Sequence, residues 1–373
     1  MDSQTTFCPN PDCPARGQSG KGNITIWSQK KRRYRCTVCK QTFTATKGTL
    51  AYRLHTDLNV VTVVVTLLAC GCPLQAIVVA FDFDERTVRR WQRVAGQQCQ
   101  RIHEHLVQQP RDLAQVQADE IRVKLQGQIV WLAMALQVST RLWLGAVIGA
   151  HRDEALLTTL VQKIRGCALC RPLLIAVDGW RAYLGAIQHV FREAIPSPQG
   201  GRPHLRPWDG IYIAQVIKQY ERGHVTGIVR NIVQGTVARV EALIQRTQGG
   251  GVINTAFIER LNATFRARLA GLVRRTRSLT KHIATLEQGV YLVGTLYNFC
   301  TPHASLRLPL YLGSRARMHW VVRTPAMAAG ITNHCWTVKE VMLYPVPLPR
   351  WTPPTVRGRP SREMKQLIQQ WAN

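Results

Sequence analysis

Hydrophobic and polar positions along this chain repeat with two different periods, and the change between them divides it. From 58 to 108 the apolar residues recur at helical spacing in three pieces. The first runs over 58–69, Cys70-Gly71-Cys72-Pro73 interrupts it, and 74–81 forms a second, shorter piece. After Asp82-Phe83-Asp84 a third helix opens on an acidic cap at Glu85, with Val88, Trp91 and Val94 on one face. Arg86, Arg89, Arg90 and Arg93 occupy most of the rest of its surface. From Gln115 the pattern alternates instead, and 116–123, 128–138 and 142–148 predict a three-strand meander. A helix over 153–164 follows, with Leu156, Leu157, Leu160 and Val161 as its apolar stripe. Next comes Leu173-Leu174-Ile175-Ala176-Val177-Asp178-Gly179-Trp180, a short buried strand that ends in a carboxylate, and then a helix over 180–191.

Residues 197–252 break the rhythm. They are rich in Gly and Pro, carry β-like runs at 211–217 and 225–233, and hold Arg202, Arg206, Lys218, Arg222 and Arg230. They read as an insertion or flap. A strong helix then starts at Asn254, with Phe257, Leu261, Phe265, Leu269 and Leu272 as its core-facing stripe. At about 100° per residue, Glu259, Ala263, Arg266 and Ala270 fall on another face, with Asn262 at its border.

Composition narrows the partner. At 373 residues and 46% hydrophobic the chain buries a substantial core. Its 49 basic and 21 acidic residues give a net charge of +28, a field that opposes compaction unless it meets a polyanion. Double-stranded DNA is the expected partner, with no membrane and no small-molecule substrate; the longest apolar run, 60–72, is too short to span a bilayer. No charged-then-apolar leader precedes Cys8, and eleven cysteines, an odd number, do not suggest a disulfide framework, so a cytoplasmic, nucleoid-associated protein is expected.

Two segments carry DNA-binding signals. Cys8-x4-Cys13 and Cys36-x2-Cys39 have the spacing of a zinc ribbon, four thiolates closing one structural Zn²⁺ site. Between them, Lys30-Lys31-Arg32-Arg33-Tyr34-Arg35 is either a phosphate contact or a solvated charged strand. The short helix, turn and basic helix over 74–94 make a helix-turn-helix pattern, which any helical hairpin with a basic face would share. Cys167-x2-Cys170 reads as two reduced core thiols rather than a second metal site, and Arg357-Gly358-Arg359-Pro360, which resembles a minor-groove hook, as a basic linker.

In a chain this poor in acids, Asp178 at the end of an apolar strand is a candidate catalytic carboxylate, although the same side chain could cap the following helix. Three strands, helix, strand, helix is the order of the ribonuclease-H-like fold, where a carboxylate in the first strand lies beside one at the end of the fourth. Strand neighbours face opposite ways, so only one of Asp119 and Glu120 is expected at the site, the other facing away.

Together the ribbon, the helix-turn-helix, Asp119-Glu120, Asp178-Gly179-Trp180 and 257–268 (FIERLNATFRAR) resemble the DDE transposases of insertion sequences, and most of all the insertion sequence 1 family. The resemblance covers roughly 5–305. It implies a ribonuclease-H-like α/β catalytic core, a mixed sheet with flanking helices, behind the two DNA-binding modules. Asp119, Asp178 and Glu259 would hold two Mg²⁺ (or Mn²⁺) ions, and Arg260, Asn262 and Arg266 would be DNA or structural helpers. The implied domains are 1–50 (zinc ribbon), 51–110 (helix-turn-helix), 111–305 (catalytic, with the insertion at about 197–252) and 306–373 (C-terminal extension and basic tail). The implied activity is metal-dependent strand cleavage and transfer at element ends by a homo-oligomer on DNA. A non-catalytic regulator with the same binding modules, or a nuclease that cuts without joining, are the rival readings.

Overall fold

Three short strands, β1 (Ile24–Ser28), β2 (Arg33–Cys36) and β3 (Thr42–Thr44), pair antiparallel in that order in the N-terminal part of the chain. They belong to a computed structural model that describes residues 2–197, 200–275, 279–310, 319–355 and 358–372; Arg357 of the expected basic linker lies outside these. The chain forms two units, one made of 1–62 with 339–373 and the other of 63–338.

In the first unit, Ile24, Tyr34 and Phe43 bury against Cys8, Cys13 and Cys36. The helix Arg362–Trp371, capped by Ser361, adds Trp371 to the same core, with Leu367 and Trp351 packed beside it. Gln18 donates its side-chain amide to the Trp371 carbonyl. The tail read as a separate extension therefore contributes, from 339 onward, to the ribbon's own unit. The physical reason is size: three strands of three to five residues expose more apolar surface than they can cover.

The unit boundary falls within α1 (Leu58–Ala69). In the second unit α2 (Leu74–Phe81) ends at Asp82, which takes a left-handed conformation, and α3 (Glu85–Leu106) starts on Asp84, whose carboxylate accepts from the Arg86 and Thr87 amides. α3 runs well past the expected recognition segment because Ala95, Cys99 and Ile102 continue its apolar stripe.

The strands β4 (Gln115–Leu125), β5 (Gln128–Gln137) and β6 (Trp143–Gly149) form the antiparallel meander. α4 (Glu154–Cys167), capped by Asp153, leads to β7 (Leu173–Asp178), which pairs parallel to β4, and α5 (Ala182–Val190) follows. The segment β8 (Arg192–Ile195) and β9 (His204–Pro207) is a small hairpin. β10 (Ile211–Glu221) then joins the main sheet parallel to β7, and β11 (His224–Gln234) returns antiparallel along its edge. The result is one mixed six-stranded sheet in the order β11-β10-β7-β4-β5-β6.

Residues 197–252 are thus not an insertion as a whole. β10 is an inner strand, and α6 (Val237–Gln248) buries Val240, Leu243 and Ile244 against Leu174, Ala176, Ala214 and Val216. α7 (Ala256–Arg268) crosses beside β4 and β5, and α8 (Ile283–Cys300) packs along α3 and β6. The α3–α8 approach is close enough that a Cβ on Gly96 would come within 2.5 Å of the Gln288 carbonyl oxygen. Among the described residues no helix is long and apolar enough to cross a membrane.

Candidate active site

The β4–β7 ladder ends at Gln117↔Ala176, while both strands continue. Two further steps put Asp119 opposite Asp178, and the Val216↔Asp178 pair brings β10 to the same level. β7 and β10 approach closely there: a Cβ on Gly179 would lie 2.8 Å from Ile217, so the Asp-Gly pair is a packing requirement as well as a turn signal. Around these strand ends lies a cavity of about 740 Å³ lined by Asp119, Glu120, Asp178 and Glu259 and by the cations Arg152, Lys218, Arg266 and Arg274.

Carboxylate oxygens of Asp119, Glu120 and Asp178 lie within 4.8 Å of one another. The expectation that Glu120 faces away is corrected. Past Gln117 the edge of β4 is open toward β7, so a long side chain can reach the gap from the other face of the strand. Glu120 is held there by Arg152, which donates to its Oε2 from Nε (3.2 Å) and Nη2 (3.0 Å) and from Nη2 to Asp178 Oδ2 (3.0 Å). The other oxygen of Asp178 accepts from the Trp180 amide at 3.0 Å, a local turn contact; α5 starts later, at Ala182, with Arg181 at its N-cap and no side-chain cap, so Asp178 does not cap that helix.

Burial, with the neighbouring charges of Glu120, Asp178 and Glu259, pushes the Asp119 carboxyl up to about 7. Burial also raises Glu120, against the pull of Arg152; the Tyr183 hydroxyl faces it without a hydrogen bond of normal geometry. Arg152 pays a desolvation penalty that Glu120 and Asp178 more than offset, holding its charge firmly.

Glu259 enters from α7. Its Oε1 accepts from Lys218 Nζ at 2.7 Å and from the Thr255 hydroxyl at 2.6 Å. It stands outside the group of three carboxylates that share the 4.8 Å spacing, on the same cavity. The buried face of α7 is Ile258, Leu261, Asn262 and Phe265, one position round from the expected stripe; Phe257 is half-buried with the Arg141 guanidinium 3.9 Å over its ring. That rotation turns Asn262 inward. It is 1% exposed and donates to Asp119 Oδ2 at 2.7 Å, so its amide orients a carboxylate and is not offered to DNA. Arg266 lines the cavity, and Arg260 is exposed.

Sequence reasoning missed Gln117. Buried two residues before Asp119 and on the same face of β4, it accepts from the Phe257 and Ile258 amides at 3.0 Å and donates to the Asn254 carbonyl at 2.7 Å. One amide therefore fixes the start of the helix that carries Glu259. Gln117→Leu should cost about 1–3 kcal/mol, because two helix N–H groups lose their acceptor. A lower urea midpoint with an unchanged slope would register it.

In the first unit the four cysteines do converge. Cys8 and Cys39 sulfurs are 3.6 Å apart and Cys13 and Cys36 3.8 Å, close to the roughly 3.8 Å edge of a tetrahedron with 2.3 Å Zn–S bonds. Burial raises the Cys8 thiol and pushes Cys13 up to about 12, a cost to thiolates that a bound cation would remove. This set suits a structural zinc. The intact chain should carry one equivalent of zinc, and Cys36→Ser should lose it; a fully folded first unit without metal would refute the assignment.

Arg86, Arg89, Arg90 and Arg93 line a cleft of about 310 Å³ together with Gln92, Thr285 and Gln288. Arg89 is bound to Glu85 one turn earlier in α3, and Glu85 also accepts from Gln75 of α2, so Glu85 joins the two helices while Arg89 holds it.

No family model and no curated protein matches this chain.

Proposed function

We propose that this protein is a DDE-type DNA transposase that uses divalent metal to cut DNA at the ends of an insertion element and join them to a target. The observation that carries the reading is the cavity in which Asp119, Glu120, Asp178 and Glu259 face Arg152, Lys218, Arg266 and Arg274. The strand order β6-β5-β4-β7-β10, with β4, β7 and β10 parallel and the meander antiparallel, supports the ribonuclease-H-like reading of the sheet.

The residues suit hard divalent cations. Three carboxylates share one small volume, one buried oxygen of Glu120 has no hydrogen-bond partner, and Asp119 is driven toward protonation by burial and, after it, by the neighbouring carboxylates. Asp119, Asp178 and Glu259, with Glu120 beside them, would hold two Mg²⁺ or Mn²⁺ ions. Bound there, the ions would neutralise charge on the attacking and leaving oxygens of a phosphodiester. The chain's own part is to orient and neutralise. Asn262 fixes the Asp119 carboxylate through Oδ2, Gln117 sets α7, and Lys218 steadies Glu259. Arg266 and Arg274 offer positive charge to the DNA backbone at the cavity wall.

The deciding experiment incubates the zinc-loaded protein with Mg²⁺, a supercoiled target plasmid and duplexes ending in the inverted repeats that flank its gene. Joined products support transposition. Cutting without joining favours a nuclease, and binding without cutting a regulator. Double-stranded DNA as partner, assembly as an oligomer on it and residence with the nucleoid in the cytoplasm belong to the same proposal.

Sequence recognition is assigned to the first turns of α3. Arg90 and Arg93 are the cleaner probes, since Arg89 also holds Glu85. Changing both to Ala should weaken end binding and reduce the slope of log affinity against log salt by about 2 if each meets a phosphate. An unchanged slope and preference would move recognition elsewhere, to the ribbon first.

A further inference from the structure

The guanidinium of Arg152 bridges two of the clustered carboxylates, Glu120 and Asp178. One nitrogen, Nη2, is shared between Glu120 Oε2 and Asp178 Oδ2, each at 3.0 Å. Glu120's side chain is 1% exposed, whereas Asp178's is 38% exposed, so of the two partners of Arg152 it is Asp178 that an arriving hydrated cation can reach from solvent. Arg152 also lies against two indoles, 4.3 Å from the Trp180 ring centroid and 5.5 Å from that of Trp131. Stacking of this kind spends none of the guanidinium's donors and gives the side chain a seat that does not depend on either carboxylate.

We infer that Arg152 is a built-in counter-ion that competes with divalent metal for Glu120 and Asp178, and that DNA phosphate relieves the competition by drawing the guanidinium away. The inference rests on the metal-binding reading given above. In the metal-free protein Arg152 bridges two of the clustered carboxylates and offsets one unit of their charge. A divalent cation on Asp178 meets a fixed positive charge already hydrogen-bonded to the same oxygen, so metal affinity without DNA is low. A phosphodiester entering the cavity offers the planar, bidentate guanidinium a competing anion while the indoles keep it stacked. Metal and DNA then bind with positive coupling, and the coupling is the same from either side. The arrangement would restrain the metal-loaded centre until substrate is present.

The test measures Mn²⁺ affinity by electron paramagnetic resonance on the zinc-loaded full chain, with and without a short duplex. Wild type should bind Mn²⁺ weakly alone and at least tenfold more tightly with DNA. Arg152→Ala should bind at least tenfold more tightly than wild type without DNA and gain little from the duplex. If Arg152→Ala does not fold, judged by circular dichroism, Arg152→Lys serves instead. It keeps the charge but loses the bidentate reach and the planar stack, and should bind Mn²⁺ severalfold more tightly than wild type. Equal or weaker Mn²⁺ binding by the folded variant overturns the role of Arg152 and leaves the metal centre standing. Absence of Mn²⁺ from wild type under both conditions overturns the metal reading and this inference with it.

Discussion

Asp178→Asn and Glu259→Gln should each lower Mg²⁺-dependent cleavage and joining by on the order of 10³-fold or more while leaving folding and DNA binding intact. Each change keeps the side chain's shape and removes one negative charge. Because the carboxylates act as one cage, either single change should cost nearly as much as Asp119, Asp178 and Glu259 altered together. The partners differ, and that gives a control. Asp178 would release Arg152 to Glu120 alone, whereas Glu259 would release Lys218. If only the arginine or lysine contact mattered, Arg152→Ala or Lys218→Ala would reproduce the loss. The carboxylate assignment requires instead that the loss follow the acid. Glu120→Gln should also lower activity, though by less. Its carboxylate shares Arg152 with Asp178 and lies within the clustered group, so a loss of roughly 10- to 100-fold is expected, as for groups that support metal ligands. Gel assays of end cleavage beside a binding assay on the same preparations would separate these cases. Full strand transfer by Glu259→Gln would remove it from the site.

Features legible in the sequence were those written in local pattern. The apolar run 173–177 with Asp-Gly behind it is a strand buried on both faces, and it ends where the cavity opens. Paired cysteines at short spacing predicted a convergence that the sulfur distances bear out. Much of the rest depends on contacts between distant parts of the chain. Gln117 looks like an ordinary polar strand residue until α7, 140 residues on, delivers two amide groups to it. Arg152 sits in an unremarkable loop 32 residues from Glu120 and acquires meaning only when β4 and β7 bring the acids together. The β-like run at 211–217 was legible, but its place was not: Pro203, Pro207 and Gly210 before it and Gly223 after it suggest a flap, and only pairing with β7 makes it an inner strand of the main sheet. Strict alternation failed at Glu120 for a related reason. The rule assumes a neighbour on both sides of the strand, and β4 loses one just before its acids.

Asp119→Asn should make the protein without added divalent cation more stable at pH 8, though it removes a proposed metal ligand. In the folded chain the Asp119 carboxyl titrates at about 7, against an ordinary value of 3.8. The folded state therefore holds this proton more tightly than the unfolded chain does. Its contribution to stability is fully present below pH 3.8 and is lost as the pH rises to about 7; above that the loss is complete and constant. A displacement of about 3 pH units corresponds to roughly 4 kcal/mol as an upper scale. Asparagine carries no proton to lose and keeps an oxygen for the Asn262 amide, which donates to Asp119 Oδ2. The variant should thus match wild type near pH 4 and gain on it progressively between pH 4 and 7. At pH 8 it should melt several degrees higher. Added Mn²⁺ should raise the wild-type melting temperature and narrow the gap, because the cation compensates the buried charge that destabilises the free site. Melting curves from pH 5 to 8, with and without Mn²⁺, would check both effects. A variant less stable than wild type at pH 8 would mean that the neighbouring cations already balance the charge of Asp119, and that the cluster has no vacant demand for a metal.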